Sequence, residues 1–205
     1  MMGEYMMKRK YIFIIAFLLF LIIALNEYNS NKSQKDINVL LLPSIPQPIA
    51  KEYVLITSAG QSPDIYIIYD VANKLTIHNY FMPKATLQDL DGVNTVVFVV
   101  GYSLIGEKFH DITYNEEKNR VKNLLKRAKE DNKVVITIFL GGFERRNKRT
   151  DELLKILSQN TDYLIATKDS DKDKYISELA KENKIPLTLI NKVNDVLEPF
   201  SSAFR

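Results

Sequence analysis

From residue 53 onward, six runs of apolar residues rich in β-branched side chains recur along the chain: YVLITS (53–58), TIHNYF (76–81), TVVFVVG (95–101), VVITIFLG (134–141), DYLIATK (162–168) and PLTLIN (186–191). Runs this continuous leave no polar face, so such strands are buried on both sides, as in parallel sheets. Segments of helical period separate most of them. Residues 63–75 place Ile65, Ile68, Ala72 and Leu75 on one stripe, and residues 115–131 do the same with Val121, Leu124, Leu125 and Ala128. Thr113 and Glu116 form a capping box ahead of the second stripe. Thr150 is the expected cap of a helix running to 158. Residues 171–183 turn Ile176, Leu179 and Ala180 inward, and a short helical tail covers 193–197. Between the second and third strands only a single turn fits, at 86–90, followed by the Asp91-Gly92 turn signal. This alternation predicts an α/β fold. Its parallel sheet of about six strands lies between helices in a flavodoxin-like or Rossmann-like three-layer sandwich. The expected strand order is 2-1-3-4-5, with the sixth at the far edge.

What precedes the domain is of a different kind. Lys8, Arg9 and Lys10 stand before an unbroken apolar run from residue 11 to 25. These 15 residues fall short of the about 20 of a full span, but continuing through Asn26, Glu27 and Tyr28 gives a tilted anchor enough length. No small-x-small cleavage pattern follows. The expectation is an N-terminal hydrophobic helix over 1–28 acting as an uncleaved signal-anchor. The flanking positive charges hold its start in the cytoplasm and place the remainder outside. The protein then sits at the cell membrane as a single-pass chain, with secretion after cleavage as the alternative. Residues 29–50 are a polar tether followed by a segment with Pro43, Pro46 and Pro48, extended against the domain of residues 51–205.

Composition narrows the chemistry. There is no cysteine, which excludes disulfides, thiolate metal sites and a cysteine nucleophile. Residues 51–205 carry 23 Lys/Arg against 22 Asp/Glu, so no basic field favours nucleic acid.

In a doubly wound sheet, ligands bind beyond the carboxyl ends of the strands, near the switch point. Gly60, Gly101, Gly106, Gly141 and Gly142 all follow predicted strands, and only Gly92 lies at a strand entrance. In ITSAGQSPD (56–64), Ser62 is the expected helix cap and Pro63 the first helical residue. Free amides beside Thr57, Ser58, Gly60, Gln61, Ser62 and Asp64 then form a cradle for an anionic or polar ligand; a capped turn with nothing bound is the alternative. In GGFERRNKRT (141–150), Arg145 and Arg146 offer the forked donors that suit carboxylate or phosphate. The alternative is a solvated basic loop. Tyr102 and Ser103 join the rim from the third strand's loop, where His110 is a candidate base without a partner in view.

Sharper chemistry is not supported. GYSLIG has Ile105 where a nucleophile elbow needs glycine, and no helix is expected to begin there. No Walker A or dinucleotide fingerprint occurs. DSDKD lacks the glycine and final glutamate of a calcium loop. TSAGQS partly matches a flavodoxin phosphate loop, with Ala59 where a hydroxyl is expected. FMN, with Tyr102 stacking on its ring, is therefore the alternative to having no cofactor. No catalytic residue and no metal ligand is assigned.

Taken together, TSAGQS, GYSLIG and GGFERR resemble an uncharacterised bacterial family, a domain of unknown function whose exported or membrane-tethered members share TSAGQS, GxSxxG and GGxxRR loops. The resemblance covers roughly residues 51–198 and brings no reaction with it. It implies that Ser58, Gln61, Ser62, Asp64, Ser103, Arg145 and Arg146 share one rim.

Overall fold

A computed structural model describes residues 43–205. The hydrophobic segment and most of the tether lie outside the described residues. Among those residues, no helix is long and apolar enough to cross a membrane. Six strands, β1 (Val54–Ala59), β2 (Asn79–Phe81), β3 (Thr95–Val100), β4 (Val134–Phe139), β5 (Tyr163–Thr167) and β6 (Leu187–Ile190), form one sheet in the order β2-β1-β3-β4-β5-β6. Every pairing is parallel. The order expected from the alternation is the one observed.

Burial on both faces explains the lack of polar alternation. Leu55, Val96, Phe98 and Val100 point to one apolar layer, under α3 (Tyr114–Glu130), α4 (Lys148–Ser158) and α5 (Tyr175–Glu182). Their neighbours Ile56, Val97 and Val99 point to the other, under α1 (Ile65–Lys74) and α6 (Leu197–Ser202). The proline-rich stretch joins this second layer: Ile45 and Ala50 are buried there, and the amides of Ile49 and Ala50 donate to the Ala203 carbonyl at 3.0 and 2.8 Å.

Several local expectations are corrected. The second strand is only three residues long: Thr76 takes a left-handed φ of 57° as the chain leaves α1, and pairing with β1 begins at Asn79 opposite Val54. The helix expected from Pro63 starts at Ile65, after a tight turn in which the Tyr66 amide donates to the Pro63 carbonyl. Ser62 still meets an amide, that of Asp64, at 3.2 Å. Asn147, not Thr150, caps α4; its Oδ1 accepts from the amides of Arg149 and Thr150, both at 3.0 Å. The last long helix begins at Tyr175 because Lys174 adopts φ 65°. An unexpected helix, α2 (Leu104–Phe109), follows β3, with the Ser103 hydroxyl accepting from the Gly106 amide at 3.0 Å. None of its residues is buried: Leu104, Ile105 and Phe109 stay exposed, so the short apolar pattern does not mark an inward face.

Candidate ligand-binding site

The loops after β1 and β3 meet over the sheet. The Gly101 amide donates to the Ala59 carbonyl at 2.9 Å, and the Ser103 amide to the Gly60 carbonyl at 2.8 Å. Gly60 has a left-handed φ of 100°, and a Cβ there would stand 2.7 Å from the Gly101 carbonyl oxygen. The glycine is thus needed for close approach of two loops rather than for passage over a helix end.

Beneath this junction lies a pair of residues that sequence reasoning missed. Glu117 and Arg120 of α3 form a two-point ion pair at 2.8 Å, with side chains only 3% and 11% exposed. Glu117 also accepts the Gly60 amide at 2.8 Å. Arg120 donates to the Ser58 carbonyl, to Thr57 Oγ1 at 3.3 Å and to the Ala85 carbonyl at 3.0 Å. A buried pair on α3 thereby holds the β1 loop in place. A signal was present: Glu117 continues the Val121–Leu124–Ala128 stripe, where an unpaired charge is costly.

The β1 loop and α2 border an open cavity of about 250 Å³, lined by Ser58, Gln61, Ser62, Ser103 and His110 among polar residues and by Ile65, Tyr66, Pro83, Ile105 and Phe109 among apolar ones, of which Tyr66, Ile105 and Phe109 are largely exposed. Each serine oxygen already accepts a backbone amide: Ser58 from Ser62 at 2.8 Å, Ser62 from Asp64, Ser103 from Gly106. Gln61 differs. It is 5% exposed and holds a left-handed φ of 61°. Both its Oε1 and its Nε2 are buried without a hydrogen-bond partner. Buried amides are nearly always paired, and an unpaired one costs about 1–3 kcal/mol.

The remaining predicted residues divide. Thr57 is fully buried under the loop, in contact with Arg120 rather than the cavity. Arg145 reaches across β3 to Asp64 at 3.0 Å, so the β4 and β1 loops do lie side by side; its side chain is 52% exposed, and Asp64 Oδ2 is left without a partner. Arg146 is elsewhere. Only 7% exposed, it sits between Asp151 at 2.7 Å and Asp173 at 2.6 Å, with the Tyr175 ring 4.7 Å from its guanidinium carbon. Its hydrogen bonds pull the Asp173 carboxyl down to about 2, as expected for a structural clamp. Tyr102 lies outside the cavity lining as well. Its hydroxyl is shared by Glu107 and Arg149, and the Arg149 guanidinium covers its ring at 4.5 Å, on the ring the flavin reading assigns to stacking. Burial, together with the Glu107 bond, raises the Tyr102 phenol above its ordinary range.

Fold and site together define a parallel α/β domain with a ligand-sized cavity at the carboxyl-end rim of its sheet. A family model described as Domain of unknown function (DUF6305) matches residues 51–204, and the chain belongs to that family. No curated protein and no solved structure matches it.

Proposed function

We propose that this chain is a binding protein tethered to the membrane by its first 28 residues, with its flavodoxin-like α/β domain outside the cytoplasm and a small polar ligand held in the Ser58–Gln61–Ser103 cavity. The observation that carries the binding reading is Gln61: the residue lines the cavity, and its carboxamide is buried with both polar atoms unpaired, a cost that turning it out to a bound ligand would remove. Binding rather than catalysis is favoured because the Ser58, Ser62 and Ser103 oxygens are occupied as loop and helix caps. The anion reading for the rim weakens, since Arg146 is committed to two aspartates and Arg145 to Asp64. The membrane reading rests on Lys8-Arg9-Lys10 and the apolar run behind them.

Gln61→Leu tests the site. Removing an unpaired buried amide is expected to raise ligand-free stability by about 1–2 kcal/mol, or several degrees in melting temperature for a chain of this size. The same change should abolish any small molecule that native mass spectrometry detects on the wild-type chain. A destabilised variant would mean that the carboxamide is already satisfied in the folded protein, and the reading would lose its basis. Topology is tested by fusion after Arg205. Alkaline phosphatase there should be active, and an active cytoplasmic reporter at the same position would overturn the placement.

A further inference from the structure

Helix α2 is built inside out. At 3.6 residues per turn, Leu104, Ile105, Lys108 and Phe109 share one side and Gly106 and Glu107 the other. The second side is the one that meets the domain. Glu107 accepts the Tyr102 hydroxyl and, at 3.1 Å, the Tyr114 amide. Gly106 lies so close to the β1 loop that a Cβ there would stand 2.3 Å from the Gln61 carbonyl oxygen. The apolar side faces away. Ile105 and Phe109, one turn apart, are 82% and 81% exposed, the highest values for large apolar side chains among the described residues. Tyr66 and Leu104 come next, and Tyr66 lines the same cavity as Ile105 and Phe109. A surface helix normally turns its apolar stripe toward the core, and apolar side chains exposed together in this way mark an interaction surface.

What covers this face follows from where the chain enters the domain. Pro43, the first described residue, shares a surface depression with Lys168 and Asn191, which follow β5 and β6 at the carboxyl-end rim. From there the segment runs down the second apolar layer through buried Ile45 and Ala50. It reaches Lys51, whose amide donates at 3.1 Å to the hydroxyl of Thr95, the first residue of β3. The tether thus joins the domain at the rim that carries α2, and not at the opposite end. The entry beside β6 and the base of α2 at β3 are about 14 Å apart across the sheet. Residues 29–42 reach at most about 50 Å when fully extended, so an anchor over 1–28 keeps this rim near the bilayer. Held that close, the face meets the lipid as an intramolecular event, for which a small apolar area is enough. The charges on α2 suit the lipid boundary. Its acid, Glu107, is turned inward, and Lys108 stands among the apolar side chains on a stem long enough to reach the headgroups. Lys84, whose ammonium donates to the His110 carbonyl at 3.0 Å, adds a positive charge beside the end of the helix.

We propose that α2 is an interfacial anchor: its Leu104, Ile105 and Phe109 face, with Tyr66 beside it, sits in the headgroup–acyl boundary of the bilayer and turns the carboxyl-end rim, with its cavity, toward the membrane. This rests on the membrane tether of the reading above. The chain has no cysteine, so each introduced one takes a single label. Lys108→Cys, within the face, and Asp91→Cys, exposed at the entrance of β3, are spin-labelled in the full-length chain, one chain per nanodisc of phosphatidylcholine and phosphatidylglycerol. Oxygen should relax the Lys108 label more strongly than a water-soluble nickel chelate does, as it does for a label in lipid. The Asp91 label should show the reverse. Adding Ile105→Glu and Phe109→Glu should return the Lys108 label to water and leave thermal unfolding unchanged, since neither side chain is buried. A Lys108 label as open to nickel as the Asp91 label would overturn the docking, and the tether would stand if the chain still elutes with the nanodisc on gel filtration. A Lys108 label shielded from nickel and oxygen alike would mean that protein, such as a second copy, covers the face, and would overturn it too. A chain that elutes apart from the nanodisc overturns the tether and the docking together. Because the comparison of the two labels is made with the apolar face intact, it holds even if the double glutamate variant folds poorly.

Discussion

Glu117→Ala is expected to destabilise the domain by about 3–5 kcal/mol, the range for removing one partner of a buried ion pair. The loss has two sources. Arg120 remains 11% exposed with its main counter-charge gone, and the Gly60 amide loses its acceptor. At about 2–4 °C per kcal/mol for a chain of this size, the melting temperature should fall by roughly 6–20 °C. The double variant Glu117→Ala, Arg120→Met should recover part of this, since a buried charge without a partner costs more than an apolar chain of similar length. Thermal unfolding of both variants beside the wild type makes the measurement. A single-variant loss under about 1 kcal/mol would show that Arg120 finds water, and the role of the pair in holding the β1 loop would have to be abandoned.

Gly60→Ala should produce the second large effect, about 2–5 kcal/mol, combining a left-handed backbone at about 1–2 kcal/mol with overpacking at about 1–3 kcal/mol. The new methyl would meet the Gly101 carbonyl oxygen at 2.7 Å and Leu153 Cδ1 at 2.9 Å, and a backbone atom cannot step aside as a side chain can. Gly92→Ala provides the comparison. It has a positive φ of 76° but nothing within 4 Å, so only the backbone part of the cost applies. Denaturant unfolding of the two variants should differ by the packing part. Equal losses would mean that the β1 and β3 loops separate easily, and the cavity they form would then be a poorly defined one.

Both predictions concern contacts that local sequence patterns do not carry. The strands were legible because burial on both faces demands continuous apolar runs, and VLITSA in β1 and TVVFVV in β3 are buried at every position. The α3 stripe and its Thr113–Glu116 cap were legible for the same kind of reason, since helical period and capping act within one turn. Where an element lacks an apolar inward face the signal disappears. Helix α2 buries nothing, so its six residues read as loop. The cap of α4 is Asn147 rather than the expected Thr150, and both residue types suit an N-terminus. Burial decided between them: Thr150 lies inside the helix, accepting the Tyr102 amide at 3.1 Å.

The rim shows the same division. Glycines at strand ends identified which end of the sheet carries the loops, and Ser58, Gln61, Ser62 and Ser103 do share one cavity. Arg145 and Arg146 are adjacent in sequence and chemically alike, yet one faces Asp64 across β3 and the other is held by Asp151 and Asp173. Their difference depends on acids 81 and 27 residues away, brought near by crossovers. What the sequence by itself determined is the parallel α/β architecture, the strand order and the loop-bearing rim, because period, capping and glycine placement are properties of neighbours along the chain. Only the tertiary structure decided that Glu117 and Arg120 brace the β1 loop, that Arg146 is a clamp, and that Gln61 is left without a partner. Pairing is a property of neighbours in space, and the Glu117–Gly60 contact joins residues 57 apart.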